Sequence, residues 1–95
     1  MTGESREARL KRLRMRSMRR GIKEMDLILT AYADARLEAM SEAELAAYDV
    51  LLSENDQDLY QWVSGQAPAP DALAPLVADV RAVALQTEGG VGQKG

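Results

Sequence analysis

Apolar residues recur along this chain at three- and four-residue steps, and that period dictates a helical protein. The stripe is clearest at Leu73, Leu76, Val77, Val80, Val83 and Ala84. Strand signals are missing: the chain has no Phe, few β-branched residues and no Asn-Gly or Asp-Gly hairpin pair. Ala, Leu, Met, Glu and Arg, the good helix formers, dominate instead. With 95 residues there is room for one domain with one thin core. The fold class expected is all-α, a small five-helix bundle in a single domain.

The boundaries follow from capping chemistry. Ser5 caps a first helix running to about Arg19, with Leu10, Leu13 and Met18 on one broad side. Gly21 interrupts it. A second helix runs from about Ile22 to Met40 with an inner stripe of Ile22, Met25, Leu29, Tyr32 and Arg36. Leu27 and Ala31 lie off that stripe, which places this helix centrally among several neighbours. Ser41-Glu42-Ala43-Glu44 is a capping box, opening a third helix to about Ser53 with Leu45, Tyr48, Leu51 and Leu52 inside. Asn55 or Asp56 caps a fourth, closed by Gly65, with Leu59, Trp62 and Val63 as its buried set. Pro68 and Pro70 mark a linker. Asp71 caps a fifth helix to about Gln86, and Pro75 falls in or near its first turn. The domain then spans 1–87, and the glycine-rich stretch 88–95 reads as a disordered tail.

The residues that are missing narrow the function. Without Cys or His there is no thiolate chemistry, no Cys-bearing metal site and no imidazole base. No catalytic residue and no metal ligand set is expected. Glu54, Asp56 and Asp58 read as carboxylates at a helix start rather than as a cation site, since the central glycine of a calcium loop is absent. No glycine-rich loop opens a helix, so the chain offers no phosphate cradle of its own. No apolar run approaches the ~20 residues of a membrane span. No apolar stretch follows the basic N-terminal residues as in a secretory signal, and Glu4 and Glu7 argue against a transit peptide.

Charge is segregated. Residues 1–20 carry eight Lys and Arg against Glu4 and Glu7, whereas residues 21–95 carry four against thirteen acids. One reading is a polyanion-binding or nucleic-acid-binding module using the basic N-terminal helix; the other is a helix whose arginines pair within the molecule. No aromatic residue is interleaved with the cations and the pI is 4.9, so neither nucleic acid nor a membrane is the expected partner.

The segment Arg19-Arg20-Gly21-Ile22-Lys23-Glu24-Met25-Asp26 is the most informative. Arg20 offers a planar fork for a carboxylate or carbonyl, Gly21 permits close backbone approach, and Glu24 falls in the first turn of the second helix. Taken alone, these residues also fit a helix junction held by an Arg–Glu pair.

Arg20-Gly21-Ile22-Lys23-Glu24 resembles the Arg-Gly-x-x-Glu motif of the succinate dehydrogenase assembly factors, the flavinators. Leu51 through Trp62 is similar to a second segment of that family, Leu-Leu-x-x-x-Asp-x-Asp-Leu-aromatic-x-Trp, with Tyr60 as the aromatic. The resemblance covers roughly residues 9 to 86. Two departures stand out: Gln57 replaces a proline carried by many relatives, and Met18 an aromatic carried by some. The resemblance implies a five-helix factor that binds the flavoprotein subunit of succinate dehydrogenase, and also of fumarate reductase. It implies a non-enzymatic, chaperone-like role in covalent FAD attachment, with FAD held by the partner and none bound stably by this chain. It places the partner contact at Arg20, Gly21 and Glu24, flanked by Lys23, Asp26, Arg19 and Arg16. It implies a cytoplasmic protein, or one of the mitochondrial matrix in a eukaryote.

Overall fold

The computed structural model describes residues 4–94, with side chains described through Gln86. Five α-helices make up the described fold: α1 (Arg6–Arg16), α2 (Lys23–Arg36), α3 (Glu42–Leu52), α4 (Asp56–Ser64) and α5 (Ala74–Lys94). A 3₁₀ turn, Leu37–Ala39, follows α2, and there is no strand among the described residues. The bundle is the expected one. The notional tail at 88–95 falls where side chains lie outside the described residues, although α5 is assigned as far as Lys94.

α2 is the hub. It packs against α1, α4, α5 and the 3₁₀ turn, and Met25, Leu29, Tyr32 and Ala33 are fully or almost fully buried on it. Around it Leu13 of α1, Leu45, Tyr48, Leu51 and Leu52 of α3, Leu59 and Val63 of α4, and Val77, Val80 and Val83 of α5 complete one core. The rings of Tyr32 and Tyr48 meet at its centre, 5.5 Å apart and tilted. Burial raises both phenols, Tyr48 to about 12, the Asp79 carboxylate that Tyr32 donates to adds to the rise at Tyr32, and both remain neutral donors.

Local chemistry explains most boundaries and corrects several. The capping box forms as drawn: Ser41 Oγ accepts from the Glu44 amide at 3.1 Å, and Glu44 Oε1 accepts from the Ser41 amide at 2.8 Å. Asn55, not Asp56, caps α4, its Oδ1 accepting from the Gln57 amide at 2.8 Å. A proline at 57 would have no amide to donate to this cap. Gly65 ends α4 in the left-handed conformation, φ 86°.

α1 stops at Arg16 rather than near Arg19. Ser17, fully buried, turns its hydroxyl back to the Leu13 carbonyl at 2.8 Å and shares a 2.5 Å bond with Tyr48 Oη. Met18 is therefore carried off the helix and left 38% exposed instead of packing with Leu10 and Leu13. α2 ends at Arg36, earlier than Met40, and tightens into the 3₁₀ turn. Arg36 is half-exposed rather than internal, because Asp79 holds it at the surface at 3.3 Å. Leu27 is exposed, so α2 reaches its neighbours without it. Trp62 is only partly buried, at the rim of the core. Asp71 caps nothing: residues 71–73 form a turn whose bonds run to the Pro70 carbonyl, and α5 starts at Ala74 with Pro75 in its first turn.

Candidate functional site

The basic arm is not free. Arg6 donates to Glu42 at 2.9 Å and Arg9 to the same carboxylate at 2.6 Å. Arg12 and Arg16 both reach Asp49, Arg12 at 3.2 Å, and Arg16 also donates to Ser53 Oγ at 3.2 Å. Arg20 reaches Asp56 at 2.7 Å. The three acids are spaced seven residues apart, and the arginines meet them in chain order, so α1 and α3 run in the same sense. Arg14 pairs with Asp34 of α2. Six of the eight cations in residues 1–20 thus pair with a carboxylate, and Lys11 and Arg19 are the two without one among the described residues. Arg6 holds the Glu42 carboxyl below its ordinary range. At Asp49 burial pushes the carboxyl up, but Arg12 and Arg16 outweigh it and the net shift is downward.

The junction between α1 and α2 hangs from the last rung. Arg20 Nε donates to Asp56 Oδ1 at 2.8 Å, Nη1 to the Arg16 carbonyl at 2.9 Å and Nη2 to the Leu52 carbonyl at 3.2 Å. Its side chain is only 11% exposed. The other Asp56 oxygen accepts from the Gly21 amide at 2.5 Å. A Cβ at Gly21 would stand 3.1 Å from that oxygen, so a larger residue there would push the carboxylate back by a few tenths of an ångström and glycine suits the close approach. The partner of Arg20 is therefore Asp56, not Glu24.

Glu24, Lys23 and Arg19 are exposed, and none of them has an ion pair or side-chain hydrogen bond among the described residues. Arg19 has φ 56°, an unusual conformation for a residue with a Cβ. Asp26 is half-buried and receives a long 3.4 Å bond from Thr30 Oγ1. Exposed Met15, Met18 and Leu27 lie in the same stretch of chain. The result is an exposed stretch with charges of both signs and apolar neighbours, braced from behind by Arg20 and the Arg16 carbonyl. Among the described residues no group of His, Cys, Asp or Glu is arranged to hold a metal ion.

The family described as flavinator of succinate dehydrogenase matches residues 11–84. The chain belongs to that family. Among curated relatives it is 42% identical over 73 residues to succinate dehydrogenase assembly factor 2, mitochondrial, of Meyerozyma guilliermondii, covering 74% of this chain and 54% of that one. To the factor of the same name from Yarrowia lipolytica it is 37% identical over 91 residues, 90% of this chain and 63% of that one. The Schizosaccharomyces pombe factor is 41% identical over 68 residues, covering 72% and 49%. The chain thus spans about half to three-fifths of the length of these relatives.

In this family member the two resembling segments are physically one unit. Asp56, from the second, is the residue that holds Arg20 and Gly21, from the first. Beside them a groove of about 270 Å³ opens next to Glu24, lined by Ile28, Tyr60, Val63, Arg81 and Leu85. Asp56 and the groove-lining Tyr60, Arg81 and Leu85 are what the sequence reading did not assign to the site. The seven-residue spacing of Glu42, Asp49 and Asp56 opposite the arginines was the available signal for the first. Nothing in the sequence marks the groove.

Proposed function

We propose that this chain binds the flavoprotein subunit of succinate dehydrogenase, and that of fumarate reductase, and promotes covalent attachment of its FAD. The observation that carries the reading is the exposed stretch Arg19–Glu24, a loop that runs into the first two residues of α2. The outward charges of Arg19, Lys23 and Glu24 have no partner among the described residues, while Arg20, held by Asp56 and the Arg16 carbonyl, braces the stretch. Membership of the family described as flavinator of succinate dehydrogenase supports a partner within that enzyme. Gly21 and Glu24 then form the contact centre, Arg19, Lys23 and Asp26 flank it, and Arg20 and Arg16 act from beneath.

The chemistry belongs to the partner. FAD needs a cradle for a diphosphate, and no glycine-rich loop opens a helix in this sequence. A cavity of about 520 Å³ between α2, α3 and α5 is lined by Glu44 and Asp79, with Arg36 already paired to Asp79. With no imidazole or thiol either, the chain acts by holding the flavoprotein in a reactive geometry, a positioning effect and not catalysis by its own groups. The six paired arginines of residues 1–20 leave little charge for a polyanion, so the nucleic-acid reading is dropped. No described helix is long and apolar enough to cross a membrane. The site of action is the compartment where the flavoprotein matures, the cytoplasm or the mitochondrial matrix.

Purified apo-flavoprotein incubated with FAD, with and without this chain, tests the reading. Fluorescence of the denatured flavoprotein should report more bound flavin in the presence of the chain, together with a complex on size exclusion. No complex and equal flavin would refute it.

A further inference from the structure

We propose that Asp56 is a positioning residue: its carboxylate sets the shape in which the Arg19–Glu24 loop meets its partner. The inference rests on the reading of that loop as the docking surface. It goes beyond that reading by assigning the loop's geometry to a residue of another helix, 35 positions away.

The division of labour between the two carboxylate oxygens carries the argument. Oδ1 takes the Arg20 guanidinium, through Nε at 2.8 Å and Nη2 at 2.7 Å. Oδ2 takes the Gly21 backbone amide at 2.5 Å. One group therefore fixes the side chain of one residue and the main chain of the next. Glu42 and Asp49, the other rungs, receive arginine side chains only and hold no backbone amide of the loop. They tie helices together; Asp56 alone among them ties the loop.

Little else defines the loop locally. Ile22 stands at the N-cap of α2 and has no side chain able to cap it. Arg19 sits at φ 56°, a conformation a non-glycine residue keeps only when its surroundings impose it. Asp56 itself is well anchored. It is the first residue of α4, the Asn55 cap stands before it, Leu59 is fully buried one turn later, and its own side chain is 17% exposed. The fixed end of α4 thereby dictates where the Gly21 backbone lies, and Glu24 follows three residues on.

The chemistry also says which residue can stand at 56. Arg20 and the Gly21 amide are both donors, so the group between them must accept on both sides. A carboxylate does; an asparagine of the same shape would aim its own NH₂ at one of the two donors.

Asp56→Asn is therefore the test, with Asp49→Asn as the control rung. Affinity for purified apo-flavoprotein is measured per folded molecule, beside thermal melts and hydrogen exchange of the Gly21 amide. Asp56→Asn should bind at least tenfold more weakly and lose Gly21 protection, whereas Asp49→Asn should melt lower yet bind like wild type. Should Asp56→Asn not fold, Asp56→Glu keeps the charge for Arg20 but moves the oxygens by one methylene. It too should lose Gly21 protection and affinity together. Wild-type affinity in whichever Asp56 variant folds, while Glu24→Gln binds poorly, would overturn the positioning role and leave the docking surface standing. Wild-type affinity in all of these, Glu24→Gln included, would remove the docking surface itself.

Discussion

Arg20 and Glu24 stand four residues apart in one motif, yet one is closed and the other open. Arg20 spends its fork on Asp56, the Arg16 carbonyl and the Leu52 carbonyl, and is 11% exposed. Glu24 lies on the surface at the start of α2 with no ion pair among the described residues. The difference teaches that the motif has an anchoring half and a presenting half. Residues of the first kind should govern stability, and residues of the second kind should govern binding. Each prediction below changes one half and asks whether the other responds.

The largest effect is expected at Arg20. Arg20→Ala strips a mostly buried carboxylate of its charged partner and empties three donor positions, a loss of roughly 3 kcal/mol. Thermal or urea denaturation measures it; a change within experimental error would mean that the anchoring half is not anchoring. Gly21→Ala comes next. Its Cβ would press on Asp56 Oδ2 at 3.1 Å, so a stability loss of about 1 kcal/mol is expected, together with weaker flavoprotein binding. Unchanged binding would show that Gly21 serves the junction alone.

The ladder should reveal itself in acid. Glu4, which accepts from Arg12 at 2.7 Å, Glu42 and Asp49 have folded values below their ordinary ones, about 4.5 for the glutamates and 3.8 for the aspartate. In that range the unfolded chain binds more protons, so stability rises with pH and levels off above the ordinary values. It should fall as pH drops through the lowered folded values. Melts taken from about pH 6 downward should show a flat Tm and then a decline that starts below about pH 5. A Tm indifferent to acid would argue that these pairs contribute nothing. The smallest effect concerns Arg19→Gly. Relief of the left-handed backbone nearly balances the extra freedom of glycine in the unfolded chain. Stability should move by about 0.5 kcal/mol or less.

Sequence alone carried the bundle because its devices are local. The stripe of α5, the Ser41 box and Gly65 each act within one or two turns, and all appear as read. It misplaced the ends of α1 and α2, where a tertiary contact decides: Ser17 stops α1 by bonding Tyr48, 31 residues away. The same limit applies at the site. Arg20 and Glu24 are neighbours in sequence, so an internal Arg–Glu pair was the natural local reading. The actual partner, Asp56, comes near only once α3 has been laid beside α1 by the arginine rungs. Arg16 shows the same thing, since its claim on Asp49 is invisible until the helices align. The outward half was legible because nothing distant competes for it.

A titration of Glu24→Gln and wild type against purified apo-flavoprotein, beside their thermal melts, tests the division most directly. Glutamine keeps the shape and removes the charge. The account predicts a Tm close to wild type, since an exposed helix-start carboxylate is worth well under ~1 kcal/mol. It predicts binding weaker by about 1.5–3 kcal/mol, roughly ten- to a hundredfold, as a charge-assisted hydrogen bond to the partner is lost. A collapsed Tm with unchanged affinity per folded molecule would contradict it, because Glu24 would then belong to the anchoring half.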